Sequence, residues 1–185
     1  MKERPILFSG PMIRALLDGR KTQTRRIVKP QPTEQVYQIY HSANFAPSDP
    51  LDQDVPDFAR EIHCPYGAPG DQLWVRETWA EDGIGYTYRA TNETWPHHWA
   101  PSIFMPRAAS RIQLEIVDVR VERVQDITTA DACAEGVPGC RDDLSNVHAV
   151  EFFKALWDQI NGARPGYSWA NNPWVWCLTF KRLTP

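Results

Sequence analysis

Between Arg111 and Val124 the apolar residues change parity. Ile112, Leu114 and Ile116 alternate on one parity, and Val117, Val119 and Val121 continue on the other. A strand points successive side chains to opposite faces, so one buried face survives such a switch only if the strand carries an extra residue. That extra residue is a β-bulge, which bends the strand and increases its twist. A long bent strand is what a small closed barrel requires, and this segment predicts one.

The remaining elements read as short pieces around that strand. Arg4 to Ser9 is an apolar run that ends at Ser9-Gly10-Pro11, where a proline fits the first turn of a helix because its missing N–H had no partner there. Met12, Ile13, Leu16 and Leu17 follow at helical spacing, and Gly19 stands where a left-handed C-cap belongs. Thr22 to Val28, Gln72 to Trp79, Tyr86 to Ala90 and Trp174 to Leu183 read as strands from their β-branched and aromatic content. Thr128, with Asp131 three residues on, predicts a capped short helix ending at Gly136. Phe152, Phe153, Leu156, Trp157 and Ile160 predict a second apolar helical face ending at Asn161-Gly162.

Five or six strands, about three short peripheral helices, no βαβ rhythm and no internal repeat give the fold class α+β, a small barrel with long loops. The 185 residues suit one domain spanning 1–185. Two stretches, near 30–63 and 82–106, hold no lasting period and are rich in proline, so they read as loop insertions. No apolar run is long enough to span a membrane, and Met-Lys-Glu-Arg-Pro-Ile-Leu-Phe lacks the pattern of a signal peptide, so the expected location is cytoplasmic. Cys64, Cys133, Cys140 and Cys177 are scattered, and the chain is too large to need a disulfide framework, so all four are expected as reduced thiols. A zinc site could combine Cys64 with His63 and His41, or Cys133 with Cys140, but Cys-x-x-Cys and His-x-x-x-His pairs are absent, and neither metal nor cofactor is expected. No obligate protein partner is inferred.

Chemistry is concentrated at Gly19-Arg-Lys-Thr-Gln-Thr-Arg-Arg. Arg20, Lys21, Arg25, Arg26 and Lys29 follow Gly19 within ten residues without an acid among them, in a chain whose net charge is -3. Lys21 and Thr24 put an amine and a hydroxyl close together within this field. A threonine hydroxyl needs a base to take its proton, and lysine serves only when burial or neighbouring cations lower its pKa. On an ideal strand these two residues face opposite ways, so cooperation requires a bend, which Gly19 makes feasible. A basic strip beside aromatic residues equally suits single-stranded nucleic acid, with Arg25, Arg26, Arg76 and Arg107 for phosphates and Trp74, Trp79, Trp95 or Trp99 for bases. Trp74, Trp174 and Trp176 lie in strands and are expected in the core. Arg76 and Glu77 are adjacent in a strand, so one of them faces inward and needs a partner, either a structural ion pair or a ligand.

The segment Gly19-x-Lys21-x-x-Thr24-x-Arg26 resembles the ASCH domain, whose motif is Gly-x-Lys-x-x-Glu-x-Arg, at three of its four fixed positions. The resemblance extends through Pro69-Gly70-Asp71, Leu73-Trp74-Val75-Arg76-Glu77, Ser110-Arg111-Ile112, Ala134-Glu135-Gly136 and Pro173-Trp174-Val175-Trp176, and it is strongest toward bacterial and prophage-borne members. It implies a PUA-like β-barrel, a fold of RNA-modifying enzymes and readers of modified bases. Threonine at position 24, where the broad pattern has glutamate, is similar to a branch with amidohydrolase activity on N(4)-acetylcytidine that uses a Lys, Thr, Glu set. That similarity implies Lys21, Thr24 and Glu135 as catalytic residues, with Glu77 as the replacement if Glu135 faces away. Glu135 ends its helix, where the dipole disfavours a carboxylate by about 0.3 to 1 kcal/mol unless a cation is near, and Lys21 is the expected partner. The readings are therefore hydrolysis of an acylated or modified nucleoside, binding of RNA without chemistry, and, third, ribonuclease action, for which no histidine pair is evident.

Overall fold

The computed structural model describes residues 1–32, 63–81, 83–92, 98–138, 140 and 148–183. Its strands are β1 (Glu3–Leu7), β2 (Gln23–Ile27), β3 (Gln72–Arg76), β4 (Trp79–Glu81), β5 (Tyr86–Tyr88), β6 (Gln113–Arg123) and β7 (Trp174–Leu183). Its α-helices are α1 (Gly10–Leu17), α2 (Thr129–Ala134) and α3 (Ala149–Asn161). Five strands form one mixed sheet in the order β1-β3-β6-β7-β2, while β4 and β5 pair separately. This is the small α+β architecture expected from the pattern of elements. Residues 33–62 of the first loop insertion and residues 82 and 93–97 of the second lie outside the described residues, and with them His41, Trp95 and His97.

The bulge falls where the parity changes. The β6–β7 register slips between Ile116 and Asp118, which leaves Val117 half exposed while Leu114, Ile116 and Val119 stay buried. Curvature is also seen where the two sheet edges meet. β1 and β2 are opposite edges of the five-stranded sheet, yet only α1 and a short turn separate them in the chain. In a flat sheet those edges would stand about 19 Å apart at ~4.8 Å per strand. Instead Arg26 Nη2 on β2 donates to the Leu7 carbonyl on β1 at 2.9 Å, so a side chain spans the remaining gap.

Two apolar clusters flank the sheet. One gathers Ile6, Ile13, Leu16, Leu73, Leu114 and Leu178, which come from β1, α1, β3, β6 and β7. The other packs Val124, Ala132, Phe153, Trp157 and Val175, so that α2 and α3 lie together over β7. Each of these larger side chains contributes about 1.5–3 kcal/mol on burial.

Several expectations need correction. The predicted strand over Gln72 to Trp79 is two elements, because Glu77 turns inward between them and its backbone N–H donates to Met105 Sδ at 3.2 Å. Of the three tryptophans expected in the core only Trp176 is buried; Trp74 and Trp174 are half-buried platforms for Arg76 and Arg123, whose guanidinium carbons lie 5.2 and 4.3 Å from the ring centres. On α3, Phe153 and Trp157 are buried while Phe152 and Ile160 are half exposed, so the apolar face is narrower than its spacing suggested. The cysteines are not all thiols: Cys133 and Cys140 form a disulfide, because the turn leaving α2 brings their Cα atoms to 5.4 Å, within bonding range. Cys64 and Cys177 are free and buried. Among the described residues no helix is long and apolar enough to cross a membrane.

Candidate active site

α1 ends at Asp18, and Gly19 takes the left-handed conformation at φ 73°, turning the chain into the coil that precedes β2. Lys21 lies in that coil, outside the strand, so strand alternation does not govern its direction. Its Nζ folds back to donate to the Gln23 carbonyl at 2.7 Å, the peptide that carries Thr24. The bend anticipated from Gly19 is how the amine and the residue-24 backbone come together.

Glu135 arrives from the other side. The Thr128 hydroxyl accepts from the Asp131 N–H at 3.1 Å and caps α2, whose C-cap residue is Glu135. The next residue, Gly136, reverses the chain at φ 82°. A Cβ on Gly136 would meet the Ala15 Cβ at 2.8 Å and the Lys21 Cβ at 3.0 Å, so glycine is what lets the end of α2 dock against α1 and Lys21. The Thr22 N–H then donates to the Ala134 carbonyl at 2.8 Å, fixing the two segments together.

Lys21 Nζ donates to Glu135 Oε2 and to the Glu135 carbonyl, each at 2.8 Å, so all three of its N–H bonds are engaged. Burial lowers the Lys21 pKa below its ordinary value; the Glu135 charge opposes this, and Arg26 and Arg25 reinforce it. Glu135 Oε1 accepts from Arg25 Nη1 at 3.3 Å. The fully buried Arg25 guanidinium also pairs with Glu122 and Asp131, which in turn pair with Arg120 at 3.0 and 2.9 Å. Lys21, Arg25 and Arg120 thus face Glu122, Asp131 and Glu135 in one continuous network.

Thr24 and Arg26, two apart on β2, share the opposite face. Arg26 Nη1 donates to Thr24 Oγ1 at 2.6 Å and to the Arg25 carbonyl at 3.0 Å. Lys21 Nζ and the Arg26 guanidinium carbon both lie over the Phe8 ring, 5.4 and 5.1 Å from its centre. Phe8 is therefore a common floor for the two cations, a role that the spacing of charges in the sequence does not signal.

A cavity of about 660 Å³ opens onto this cluster between β2, the β1–α1 junction and α3. Glu135, Arg25 and Arg26 are in its wall, with Tyr66 and Trp157 as aromatic sides and Lys29 and Arg164 among its lining residues. Lys21 and Thr24 lie behind the wall, and Thr24 is fully buried with Arg26 covering its hydroxyl. The volume falls in the range of about 300–1,000 Å³ typical of small-molecule sites.

The other candidate residues lie elsewhere. Arg107 is held by Glu3 at 2.7 and 3.0 Å in a surface ion pair. Arg76 donates to the Met105 and Ile103 carbonyls. Glu77 is the inward-facing member of its pair; it is buried and receives two parallel hydrogen bonds from Arg111 at 2.9 and 3.0 Å. Glu77 opens on a separate cavity of about 240 Å³ with Arg14 and Arg89, so it is not the acid beside Lys21. Among the described residues no His, Cys, Asp or Glu cluster could hold a metal ion, and Cys133 and Cys140 are bonded to each other.

No family model matches the chain, and no curated protein does. Two solved structures align with it. One is a protein of Enterococcus faecalis V583 described by the family model DUF984, at 9% identity and TM-score 0.44, covering 99% of this chain and 80% of that one. The other is an ASCH domain from Lactobacillus crispatus JV V101, at 13% identity and TM-score 0.43, covering 98% of this chain and 79% of that one. At this identity and overlap no residue's role carries over from either.

Proposed function

We propose that the cavity is the active site of an amidohydrolase that removes an acyl group from the exocyclic nitrogen of a modified nucleoside, of the acetylcytidine type. The observation that carries this reading is the buried Lys21–Glu135 pair folded against the Gln23–Thr24 peptide, with Glu135 in the cavity wall. Burial that lowers the lysine pKa is the condition for a lysine base near neutral pH.

In this reading Nζ first passes a proton to Glu135 Oε2. Thr24 Oγ1 then attacks the acyl carbonyl carbon while its proton moves to the neutral amine. The carbonyl oxygen, gaining charge, takes the place of Thr24 Oγ1 at Arg26 Nη1, so one donor serves the resting hydroxyl and then the oxyanion. Collapse breaks the C–N bond, the leaving nitrogen takes a proton from Lys21, and water hydrolyses the threonyl ester to release the carboxylic acid. The Arg26–Thr24 hydrogen bond must open as the substrate carbonyl enters, with Nη1 staying within reach of the carbonyl oxygen.

The test is release of cytidine from N(4)-acetylcytidine by the purified protein, expected to be lost in Lys21→Ala and Thr24→Ala proteins that retain the circular dichroism of the parent. Equal turnover in both variants overturns the assignment. A second reading, binding without chemistry, draws on the engagement of every Lys21 N–H and the burial of Thr24. It predicts saturable binding of cytidine derivatives with no product. Ribonuclease action has the least support, since no histidine lines the cavity among the described residues.

A further inference from the structure

Resting on the cavity as a nucleoside site, we propose that Lys29 and Arg164 form a phosphate subsite at its mouth, so that the ligand is a nucleotide rather than a free nucleoside. Among the described residues the cavity's charged lining is Arg25, Arg26, Lys29 and Arg164 against the single carboxylate of Glu135, in a chain of net charge -3. These cations are not equivalent. Arg25 is committed to Glu122, Asp131 and Glu135, and Arg26 to Thr24, Leu7 and the Arg25 carbonyl. Lys29 and Arg164 are exposed, and neither is paired with a carboxylate among the described residues.

They also converge on one fixed turn. The Arg164 N–H donates to the Asn161 carbonyl at 2.9 Å as the chain leaves α3, and the Tyr167 N–H donates to the Arg164 carbonyl at 3.1 Å. Trp157 Nε1 donates to the Tyr167 carbonyl at 2.9 Å and ties the turn to the helix. Lys29 Nζ, coming from the end of β2, stands over the Tyr167 ring at 5.8 Å from its centre. The end of β2 and the turn after α3 thus deliver to the same rim two cations that have no carboxylate partner among the described residues, while Tyr66 and Trp157 flank the cavity where a base would lie. A phosphate can accept hydrogen bonds from an ammonium and a guanidinium together.

Calorimetric titration with cytidine and cytidine 5′-monophosphate tests this, since neither compound carries an amide to be hydrolysed. Two exposed cations predict roughly tenfold tighter binding of the monophosphate at low salt, with an advantage that shrinks as salt rises. Lys29→Gln/Arg164→Gln should bring the two affinities together and leave that for cytidine unchanged; each single change should remove part of the advantage. A cytidine-centred RNA trinucleotide locates the source: tighter binding than the monophosphate identifies a backbone phosphate, and equal or weaker binding a mononucleotide. Equal binding of cytidine and its monophosphate by the parent protein overturns the subsite and leaves the cavity reading intact. Binding of neither overturns both.

Discussion

Lys21 Nζ lies 2.8 Å from Glu135 Oε2, and both side chains are closed off from solvent. The two are unequally protected against losing each other. Without Lys21, Glu135 still has Arg25 at 3.3 Å. Without its partner, Lys21 is left with Arg25 and Arg26 as neighbours, both of which disfavour its charge, in a site whose burial already lowers its pKa. Glu135→Ala should therefore cost about 3–5 kcal/mol in urea unfolding, the usual cost of stranding a buried ion, and Lys21→Met markedly less. Lys21→Met/Glu135→Leu, which buries no ion of this pair, should be more stable than Glu135→Ala alone. Greater damage from Lys21→Met would mean that Arg25 does not hold the orphaned carboxylate.

Gly136 and Gly19 both have positive φ, at 82° and 73°, but only one is sterically crowded. Gly19 has open space where a Cβ would stand, whereas Gly136 faces Ala15 and Lys21. Gly19→Ala should cost only the backbone strain, about 1 kcal/mol. Gly136→Ala adds a clash to the same strain, so it should cost at least 2 kcal/mol and pull Glu135 from Lys21. Thermal unfolding of the pair checks the order, and equal losses would show that α2 docks without needing the glycine.

The β6 bulge, the Thr128 cap and the two left-handed glycines were legible because each is a local device written within a few residues. So was a cation for Glu135, since a carboxylate at a helix C-terminus asks for one. What stayed hidden depends on residues far apart in the chain. The burial of Arg25 comes from Glu122, Asp131 and Glu135, about a hundred positions away, and no strand pattern distinguishes that arginine from a surface one. The diversion of Arg107 to Glu3 and of Glu77 to Arg111 is equally nonlocal. The Cys133–Cys140 bond is not legible from cysteine spacing and chain size, because it depends on the turn that brings the two Cα atoms to 5.4 Å.

Thiol counting separates the four cysteines. Cys177 is fully buried on β7, and desolvation pushes its thiol up to about 12; burial also raises that of Cys64. Since the thiolate is the reactive form, neither should react with an aromatic disulfide reagent near pH 8 while the protein is folded. Denaturant alone should release two thiols, and denaturant with prior reduction all four. Four thiols on unfolding without reductant would rule out the Cys133–Cys140 bond.

Arg26 ties the two sheet edges together while holding the Thr24 hydroxyl, and a planar guanidinium is needed to reach Leu7, Thr24 and the Arg25 carbonyl at once. A lysine keeps the charge but has no fork to span acceptors on two strands. Arg26→Lys should cost about 1.5–3 kcal/mol of stability, the scale of a hydrogen bond to a charged group, whereas Arg164→Lys at the exposed rim should stay within about 0.5 kcal/mol. Amide exchange gives the local signature. Protection in Arg26→Lys should fall first along β1 and at the Phe8 N–H, which donates to the Arg76 carbonyl at 3.2 Å, before it falls in β6 and β7. In the amidohydrolase reading the same variant loses the donor for the oxyanion, so kcat should drop more than KM rises. Uniform loss of protection across all five strands, with kcat unchanged, would show that Arg26 supports the sheet as a whole and takes no part at Thr24.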